Sequence, residues 1–412
     1  MTGVLIAAVA VPFGAFLLLG LVSWVDLPLG ERAVSAVAVL SAAVSAGLLA
    51  AVATGGPLRV PLGTWFDGFP LVLAADGLSV PVGVLAGLLG ALIGAFSRRY
   101  LHRDPGFRRF HLLLALFVAG VQLVVLAGTL DLLVVGWELT GLASALLIAF
   151  FHRRRGPVVH GLRAFATYRL CDVGLVGAAV VAHHGGPPLA VGLLLLWGAM
   201  GKAAQFPFGG WLPRAMEGPT PSSAICYGAI SVSLGPYLLL RTAPEWSQAP
   251  AVPVLVVVVG GLTAVHATLV GRAQTDVKTS LAYASTTQVG LVLVEVGLGW
   301  ELLALVHLLG HAALRSAQIL RSPSLLHDHH HLEQALGEPV GHGGGSWQRL
   351  VPRPVRLWLY RFALERGYLD AVLVARAAGA ARLVRRCAAA DDGLVRRLAA
   401  ADDGPARAAV AR

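Results

Sequence analysis

The chain is poor in charge. Of its 412 residues only 13% are charged, while 56% are hydrophobic and the mean hydropathy is +0.73. Soluble domains contain about 25% charged and 45–50% apolar residues. A water-soluble fold of this composition would have too few polar side chains to cover its surface. The sequence therefore excludes a soluble domain and indicates a membrane protein.

Cysteine is scarce as well, and the motifs that hold cofactors are missing. Cys171, Cys226 and Cys387 are odd in number, and their spacing fits neither a metal site nor a disulfide framework, so we interpret them as small packing residues. The sequence has no Cys-x-x-Cys pair, no phosphate-binding glycine–lysine loop and no convincing dinucleotide fingerprint. We therefore expect no flavin, iron–sulfur cluster or nucleotide, and we assign any redox or hydration chemistry to a partner.

Long apolar runs, in contrast, are abundant. A helix needs about 17–25 apolar residues to cross a bilayer core. About eleven such runs follow one another, at residues 4–24, 33–53, 77–97, 110–129, 131–151, 163–183, 188–207, 220–241, 251–271, 279–298 and 299–320. The first lacks the basic start and cleavage site of a signal peptide, so we expect it to remain as a helix. We predict an all-α polytopic membrane bundle of about 11 transmembrane helices (residues 1–322), followed by an amphipathic tail (residues 323–412).

Arginines in the short loops predict the orientation of this bundle. The loop from Ser97 to Arg109 contains five of them, and Arg153–Arg155 follow the fifth run. Because basic loops stay on the cytoplasmic side, we expect the N-terminus outside and the C-terminus inside the cell (inner) membrane. The net charge of +10 fits a cytoplasmic face that meets anionic lipid or a partner, and it requires no nucleic acid.

Ionisable residues inside the apolar runs are the candidate functional residues. A charge at membrane depth costs roughly 2.5–3.5 kcal/mol on insertion scales, so such a residue is a functional hypothesis by default. His307, His311 and Arg315 are spaced four apart and share one helix face. The full set is Glu138, Arg169, Asp172, Lys202, Lys278, His307, His311 and Arg315.

Each candidate also has a structural interpretation. Arg169 and Asp172 are three residues apart and can neutralise each other, and Lys278 can reach the interface by snorkelling. Glu138 and Lys202 can form a static ion pair, although a buried pair is a costly way to gain stability. The functional interpretation is that their changing separation takes up or releases a proton, because burial disfavours a charged amine and a nearby carboxylate favours it.

Prolines around Lys202 predict interrupted helices. Pro207 and Pro213 follow Lys202, and Gly218-Pro-Thr-Pro221 opens the eighth run. Interrupted helices at membrane depth expose backbone groups that transporters use at ion sites; a kink that serves only packing is the alternative. We therefore predict that helices 7 and 8 are broken.

Four segments lie within roughly residues 60–320: DLLVVGWELTGLASALLIAFF, GKAAQFPFGGWLPRAMEGPTPSSA, QTDVKTSLAYASTTQVGL and HLLGHAALRSAQIL. They resemble the antiporter-like membrane subunits of respiratory complex I and of Mrp antiporters. The resemblance implies an antiporter-like inverted-repeat fold in which Glu138 and Lys202 form the coupled pair, with Lys278, His307 and His311 on the central axis. Tyr227 stands where that family often has histidine, Arg315 replaces a lysine, and the second repeat is incomplete after about Leu320.

Further segments are similar to DabB, the membrane subunit of inorganic carbon accumulation systems; they include FHRRRGPVVHGLRAFATYRLCDVGLV and ILRSPSLLHDHHHLEQALG. This resemblance implies that a gradient of protons or sodium ions drives CO2 hydration to bicarbonate in a DabA-like cytoplasmic zinc partner. The alternatives are a proton-pumping subunit of a complex I-like or Mrp-type assembly and a non-conducting membrane anchor.

The tail holds four features. His327–His331 are consecutive residues that rarely close a metal site, so we favour a solvated loop. Residues 341–346 are typical of a flexible linker, and 355–374 of an amphipathic helix suited to an interface. An 11-residue segment is duplicated at 383–393 and 394–404, as short helices or as disorder.

Overall fold

The computed structural model is a bundle of helices. It describes residues 1–65, 68–336, 352–369, 371–373, 375–376, 379 and 382, with side chains described up to residue 322 and from residue 352. Eleven helices follow the predicted runs: α1 Thr2–Trp24, α2 Glu31–Ala53, α3 Ser79–Tyr100, α4 Phe107–Val125, α5 Leu130–Ile148, α6 Arg155–His183, α7 Pro188–Lys202, α8 Thr220–Arg241, α9 Ala251–Gly271, α10 Val277–Gly297 and α11 Glu301–Leu336.

Within the described residues nine of these helices are long and apolar enough to cross a membrane. The two others are α7, which has only 15 residues, and α10. The predicted mostly helical, multi-pass membrane fold is therefore confirmed. Leucines and valines remain exposed along α1, α6 and α9, as expected for helices that face lipid.

The centre of the bundle is formed by α4 and α8. Most of α4 is buried, and α8 is buried along its whole length. Small residues bring the surrounding helices close together: a Cβ on Gly260 of α9 would lie 2.5 Å from the Gly290 carbonyl oxygen of α10. Such small contacts are how membrane helices associate without a hydrophobic driving force. The polar side chains inside the bundle are consequently held between tightly packed backbones.

The chain between α7 and α8 is irregular. α7 ends at Lys202, and 3₁₀ turns follow at Phe208–Trp211 and Pro213–Glu217. α8 then starts with a short helical turn at Thr220–Ser222 and a π-helical turn at Ser223–Tyr227, and becomes regular at Ile230. Pro207 and Pro213 lack a backbone N–H and so interrupt helical pairing. The freed groups find partners inside the protein, as the Phe206 N–H does when it donates to Thr263 Oγ1 at 2.9 Å.

A β-hairpin that the sequence analysis missed lies between α2 and α3. Strands β1 (Leu58–Thr64) and β2 (Pro70–Ala75) pair antiparallel, and β2 also bonds to the α4–α5 connection through Ala74 N–H to Leu126 O at 2.7 Å. The strands have only 7 and 6 residues, too few to stand out beside apolar runs of about 20 residues. The all-α prediction is thus correct for the bundle and wrong for this segment.

Two further differences concern the tail. The predicted helix over 355–374 is observed as α12, Arg353–Leu364, followed by a 3₁₀ turn at Arg366–Tyr368. It ends early because Arg366, Gly367 and Tyr368 have positive φ angles of 54°, 69° and 58°, which no α-helix allows. α11 continues through the predicted boundary at residue 322. The predicted linker at 341–346, the duplication and Cys387 lie outside the described residues, and so do the side chains of His327–His331.

Candidate functional site

Lys202, the last residue of α7, is fully enclosed by protein. Its exposed fraction is 0%, and Nζ donates to the Trp137 carbonyl oxygen at 2.6 Å and to Thr140 Oγ1 at 2.7 Å. Nζ also lies 4.3 Å from the centre of the Trp137 ring and 5.9 Å from that of Tyr168. Such hydrogen bonds and aromatic faces can stabilise a buried ammonium group that no water reaches.

A network of charges begins next to this amine. Trp137 Nε1 donates to Asp172 Oδ1 at 2.6 Å, and Arg169 Nη2 donates to Asp172 Oδ2 at 2.7 Å. Arg169 also forms an ion pair with Glu138. Arg169 of α6 thus joins two carboxylates. Trp137 connects one of them to the amine, because its indole donates to Asp172 and its carbonyl oxygen accepts from Lys202.

The structure does not form the direct contact between Glu138 and Lys202 that the sequence suggested. Among the described residues no carboxylate lies within 4 Å of Lys202. The reason is helix geometry, because consecutive side chains project about 100° apart. The Trp137 ring lies against Lys202, whereas Glu138 pairs with Arg169 of α6. The predicted local pair of Arg169 and Asp172 does form.

Trp137 and Thr140 are site residues that sequence reasoning missed. The available signal was the polar Thr140 within an apolar run, next to an indole that needs a hydrogen-bond acceptor when it is buried. Farther along α5, Ser144 accepts through its carbonyl oxygen from the Tyr227 hydroxyl at 2.6 Å. Tyr227 therefore contributes a buried hydroxyl beside the π-helical turn, in which Ser223 Oγ is buried without a partner.

Lys278, the second residue of α10, forms a separate site. Its Nζ donates to Thr220 Oγ1 at 2.8 Å, and Thr220 Oγ1 donates to the Tyr100 hydroxyl at 3.1 Å. Lys278 is partly buried and lines a cavity of about 760 Å³. It therefore contacts the start of the broken helix α8, and it does not join the charge network around Lys202.

The row His307, His311 and Arg315 lies on one face of α11. His307 Nδ1 lies 2.8 Å from Glu295 Oε1 and Nε2 lies 2.9 Å from Gln288 Oε1, so both of its nitrogens have partners on α10. Both ring nitrogens of His311 and Nε of Arg315 are buried without a partner. Buried unpaired polar atoms are rare in proteins, so this row is a second candidate for a proton-transfer site. Sequence reasoning did not single out Glu295 and Gln288.

In the part of the chain that the structure describes, no group of three histidine, cysteine or acidic side chains is arranged to hold a metal ion. The free thiols of Cys171 and Cys226 are both buried. The polar side chains of the two sites are amines, imidazoles, carboxylates and hydroxyls, which bind and exchange protons.

Two family models match the chain. Residues 182–336 match the transmembrane family described as NADH:quinone oxidoreductase/Mrp antiporter, and residues 62–111 match the N-terminus of chain 5 of NADH-ubiquinone oxidoreductase (complex I). The first match includes Lys202, the irregular residues 203–219 between α7 and α8, Lys278, and the row His307, His311 and Arg315 on α11.

Curated relatives agree with these models. The chain is 37% identical over 278 residues to NADH-quinone oxidoreductase subunit L of Mycobacterium tuberculosis, which covers 63% of this chain and 44% of the relative. It is 34% identical over 299 residues to subunit L of Escherichia coli, covering 66% and 48%. The chain thus spans about half the length of the curated relatives it matches.

Solved structures show the same fold. A chain of the Mrp complex from Dietzia sp. matches with a TM-score of 0.68 and 27% identity, over 84% of this chain and 40% of that chain. A chain of the archaeal membrane-bound sulfane sulfur reductase matches with a TM-score of 0.65 and 19% identity, over 77% and 70%, and supports the fold alone. The two family models, the curated relatives and the Mrp match support membership of the chain in the superfamily of antiporter-like membrane subunits of complex I and Mrp antiporters.

Proposed function

We propose that this chain is a proton-translocating subunit of a multisubunit complex I-like or Mrp-type membrane assembly. The observation that carries the proposal is a fully buried lysine linked through Trp137 to a carboxylate that shares an arginine with a second carboxylate. The named relatives support this function over inorganic carbon uptake, since they are complex I and Mrp proteins.

The proposed mechanism is a shift of Arg169 between its two acids. When Arg169 binds Glu138 alone, the charge of Asp172 is left to attract Lys202, and the amine holds a proton. When Arg169 neutralises Asp172, its own positive charge acts on Lys202, and the amine releases the proton. Charge changes of this kind act strongly in a dry interior, where the effective dielectric constant is low.

Protons suit this site better than sodium ions. Lys202 and Arg169 both approach Gly141 of α5, where a Cβ would lie 3.6 Å from Lys202 Nζ and 3.4 Å from Arg169 Nη2. Because these two positive groups balance the carboxylates of Asp172 and Glu138, the network has no excess of negative charge that would bind a bare metal cation. An amine can instead carry the proton itself, so the same arrangement favours proton transfer.

The experiment that tests this function is proton uptake by the purified native assembly in liposomes, followed with a pH-sensitive dye. Lys202→Ala is expected to abolish ion-coupled proton movement, and Glu138→Ala or Asp172→Asn to reduce it strongly, because each removes a member of the network. The abundance of the assembly in the membrane serves as the control. Full transport by Lys202→Ala at normal abundance would refute the proposed role.

Coupling to carbon uptake through a DabA-like zinc partner is the second candidate, and its support is the similarity of segments such as 151–176 to DabB. Growth rescue by bicarbonate-forming activity in a host without carbonic anhydrase separates the two functions. Rescue that an uncoupler abolishes would favour the carbon role, whereas no rescue, together with proton transport in liposomes, would favour the complex I-like or Mrp-type role. A non-conducting anchor would show neither activity.

We place the chain in the cell (inner) membrane with its N-terminus outside. In this orientation the loops with Arg98–Arg109 and Arg153–Arg155 lie in the cytoplasm, as basic loops prefer. Residues 323–412 would then face the cytoplasmic partner. Accessibility of single cysteines at the two membrane faces to an impermeant thiol reagent tests this orientation.

A further inference from the structure

A cavity of about 760 Å³ opens beside the irregular residues 203–219 between α7 and α8, at the membrane face where Arg153–Arg155 lie. Its wall combines four parts of the chain: the start of α6, the 3₁₀ turn Pro213–Glu217, the first turn of α10 and the segment that follows α12. Because one water occupies roughly 30 Å³ of liquid, a cavity of this size with a polar wall has room for a cluster of water molecules.

The fixed charges of the wall balance one another. Three bases, Arg214, Lys278 and Arg366, lie among three acids, Glu217, Asp276 and Glu365. A balanced wall has little net attraction for an anion or a cation, whereas anion and cation sites carry an excess of one sign. The cavity is therefore suited to water and protons more than to a charged ligand.

His160 is the one histidine among the residues that line this cavity. Its Nδ1 is buried 3.2 Å from Glu217 Oε1, yet no aligned hydrogen bond joins the two atoms. Histidine is the side-chain type that gains and loses protons near neutral pH, and the carboxylate of Glu217 attracts the ring when it is protonated. This pair offers a place where a proton from water can be held at the wall.

The inner end of the cavity reaches the broken helix. Lys278 lines the cavity and donates to Thr220, the first residue of α8, and Thr220 donates to Tyr100. A hydrogen-bonded series of the Lys278 amine and the Thr220 and Tyr100 hydroxyls therefore leads from the cavity wall to the start of α8.

The segment after α12 lines the cavity and is held in place by α9. His266 Nε2, on α9, donates to the Arg366 carbonyl oxygen at 3.2 Å, and its ring lies edge-on to that of Phe362 with centroids 6.4 Å apart. Gly367, at φ 69°, fits against the same imidazole, where a Cβ would lie 2.8 Å from Nε2. The segment after α12 is thus a structural part of the cavity wall.

From this geometry we propose that the cavity is the water-filled mouth through which protons reach the subunit, and that the His160–Glu217 pair takes up the proton and passes it toward Lys278. This inference rests on the proposed proton translocation and names the group that serves it on one membrane face.

The test measures initial proton uptake by the native assembly in liposomes while the pH on the cavity side is varied. His160→Gln removes the imidazole, and we expect the rate to fall about 100-fold, the low end for loss of one acid–base group, and to respond less to the pH on the cavity side. Gly156→Ala is a milder variant, since a Cβ there would lie 2.7 Å from Glu217 Oε2 and displace the flexible carboxylate without removing its charge. We expect it to lower the rate severalfold.

The matched control is His152→Gln, because His152 bonds to the Phe150 carbonyl oxygen and lines a different, apolar groove. A second measurement uses Ala371→Cys, with Cys387 replaced by serine, and an impermeant charged thiol reagent. Since Cys171 and Cys226 are buried, the reagent acts at position 371 in the cavity wall, and we expect it to slow uptake from that side only.

The outcomes distinguish the two levels of the argument. If His160→Gln behaves like His152→Gln and the reagent has no effect, while Lys202→Ala abolishes transport, the inference about the cavity is wrong and the proposed function stands. If the native assembly moves no protons, both are overturned. A rate that responds to sodium and is insensitive to pH on the cavity side also overturns the inference.

Discussion

The chain contains only two lysines, and the structure places them in opposite surroundings. Lys202 is fully buried at the end of α7, enclosed by Trp137 and Tyr168. Lys278 lies at the wall of a large cavity at the start of α10. Each donates to a threonine hydroxyl, at 2.7 Å in the first case and 2.8 Å in the second. The hydrogen bonds are alike, so the difference between the two sites is access to water.

Because of this difference, we expect the two amines to have different roles in proton transfer. In a dry site the few fixed neighbours decide whether an amine is charged, because no solvent can compensate for a change in their charges. At a wet wall the amine exchanges protons with water, and its neighbours matter less. We therefore infer that Lys202 is the switching group and that Lys278 is an exchange group.

Exchanging each lysine for arginine should show the largest difference between the sites. Arginine keeps its proton and needs more room than lysine. At position 202 the enclosed site offers neither room nor a way to lose the charge, so we expect Lys202→Arg to reduce proton transport at least about 100-fold, or about 2.7 kcal/mol. At position 278 the cavity accommodates the guanidinium, and we expect Lys278→Arg to lose only a few-fold of the activity.

Proton uptake in liposomes at equal amounts of assembled complex measures both variants. Equal losses at the two positions would contradict the distinction between a dry and a wet amine. Retained transport in Lys202→Arg would show that this amine need not release its proton.

The second largest effect concerns the packing that holds Lys202 in its dry site. A Cβ on Gly201 would lie 2.4 Å from Cys171 Cβ and 2.7 Å from its Sγ, so Gly201→Ala must push α7 away from α6. Overpacking of this kind costs about 1–3 kcal/mol. We expect a lower melting temperature in detergent and a loss of transport, because the displaced helix carries Lys202.

Gly141→Ala on α5 is the matched control. Its Cβ would meet Arg169 Nη2, Lys202 Nζ and Tyr168 Cδ2 at 3.4–3.6 Å, which is ordinary van der Waals contact. Alanine also favours a helix over glycine by roughly 0.5–1 kcal/mol. Gly141→Ala should therefore melt no earlier than the native protein. If Gly201→Ala melts at the native temperature, the close packing of α6 and α7 does not hold this site in place.

The sequence predicted the bundle well because its signal is strong and local. Runs of about 20 apolar residues have one stable solution in a bilayer, since every backbone polar group must be paired within the segment. The β-hairpin at 58–75 lacks such a signal: its short strands bury only a few side chains, and β2 depends on a bond to Leu126 that is 52 residues away. The early end of α12 depended in the same way on the backbone at Arg366 and Gly367.

The site was only partly predictable for a related reason. Rarity of charge in apolar runs identified Glu138, Lys202 and Asp172, but it contained no information on which side chains meet. Partners depend on how α5, α6 and α7 are rotated about their axes. That rotation turned Trp137 toward Lys202 and Glu138 toward Arg169, so the predicted two-residue pair became a five-residue network.

A third prediction tests the connection between the indole and Lys202. Trp137→Phe leaves the backbone carbonyl that accepts from Lys202 and removes the Nε1–H donor to Asp172. Losing one hydrogen bond to a charged group costs about 1.5–3 kcal/mol locally, and a transport rate about tenfold lower is the expected outcome. Lys278 should be unaffected, so chemical labelling of Lys278 measures whether the effect stays local.

Trp246→Phe controls for the loss of a buried indole elsewhere. Trp246 is 2% exposed, and its Nε1 donates to the uncharged Leu239 carbonyl oxygen at 3.1 Å. A similar loss of transport in both variants would mean that Trp137 acts only through packing.

The smallest expected effect is at a partly buried ion pair that belongs to neither lysine site. Asp76, between β2 and α3, pairs with Arg241 at the end of α8. Partial burial raises the pKa of Asp76, but the Ser79 backbone N–H and the Arg241 guanidinium outweigh burial and hold that pKa below its ordinary value. A carboxylate with a lowered pKa adds stability above its unfolded pKa of about 3.9 and loses it as the pH falls through the folded pKa. Asp76→Asn should therefore lower the melting temperature at neutral pH by the equivalent of less than about 1 kcal/mol, with a difference that shrinks toward about pH 3. A difference that stays constant with pH would show that Asp76 contributes through packing and not through its charge.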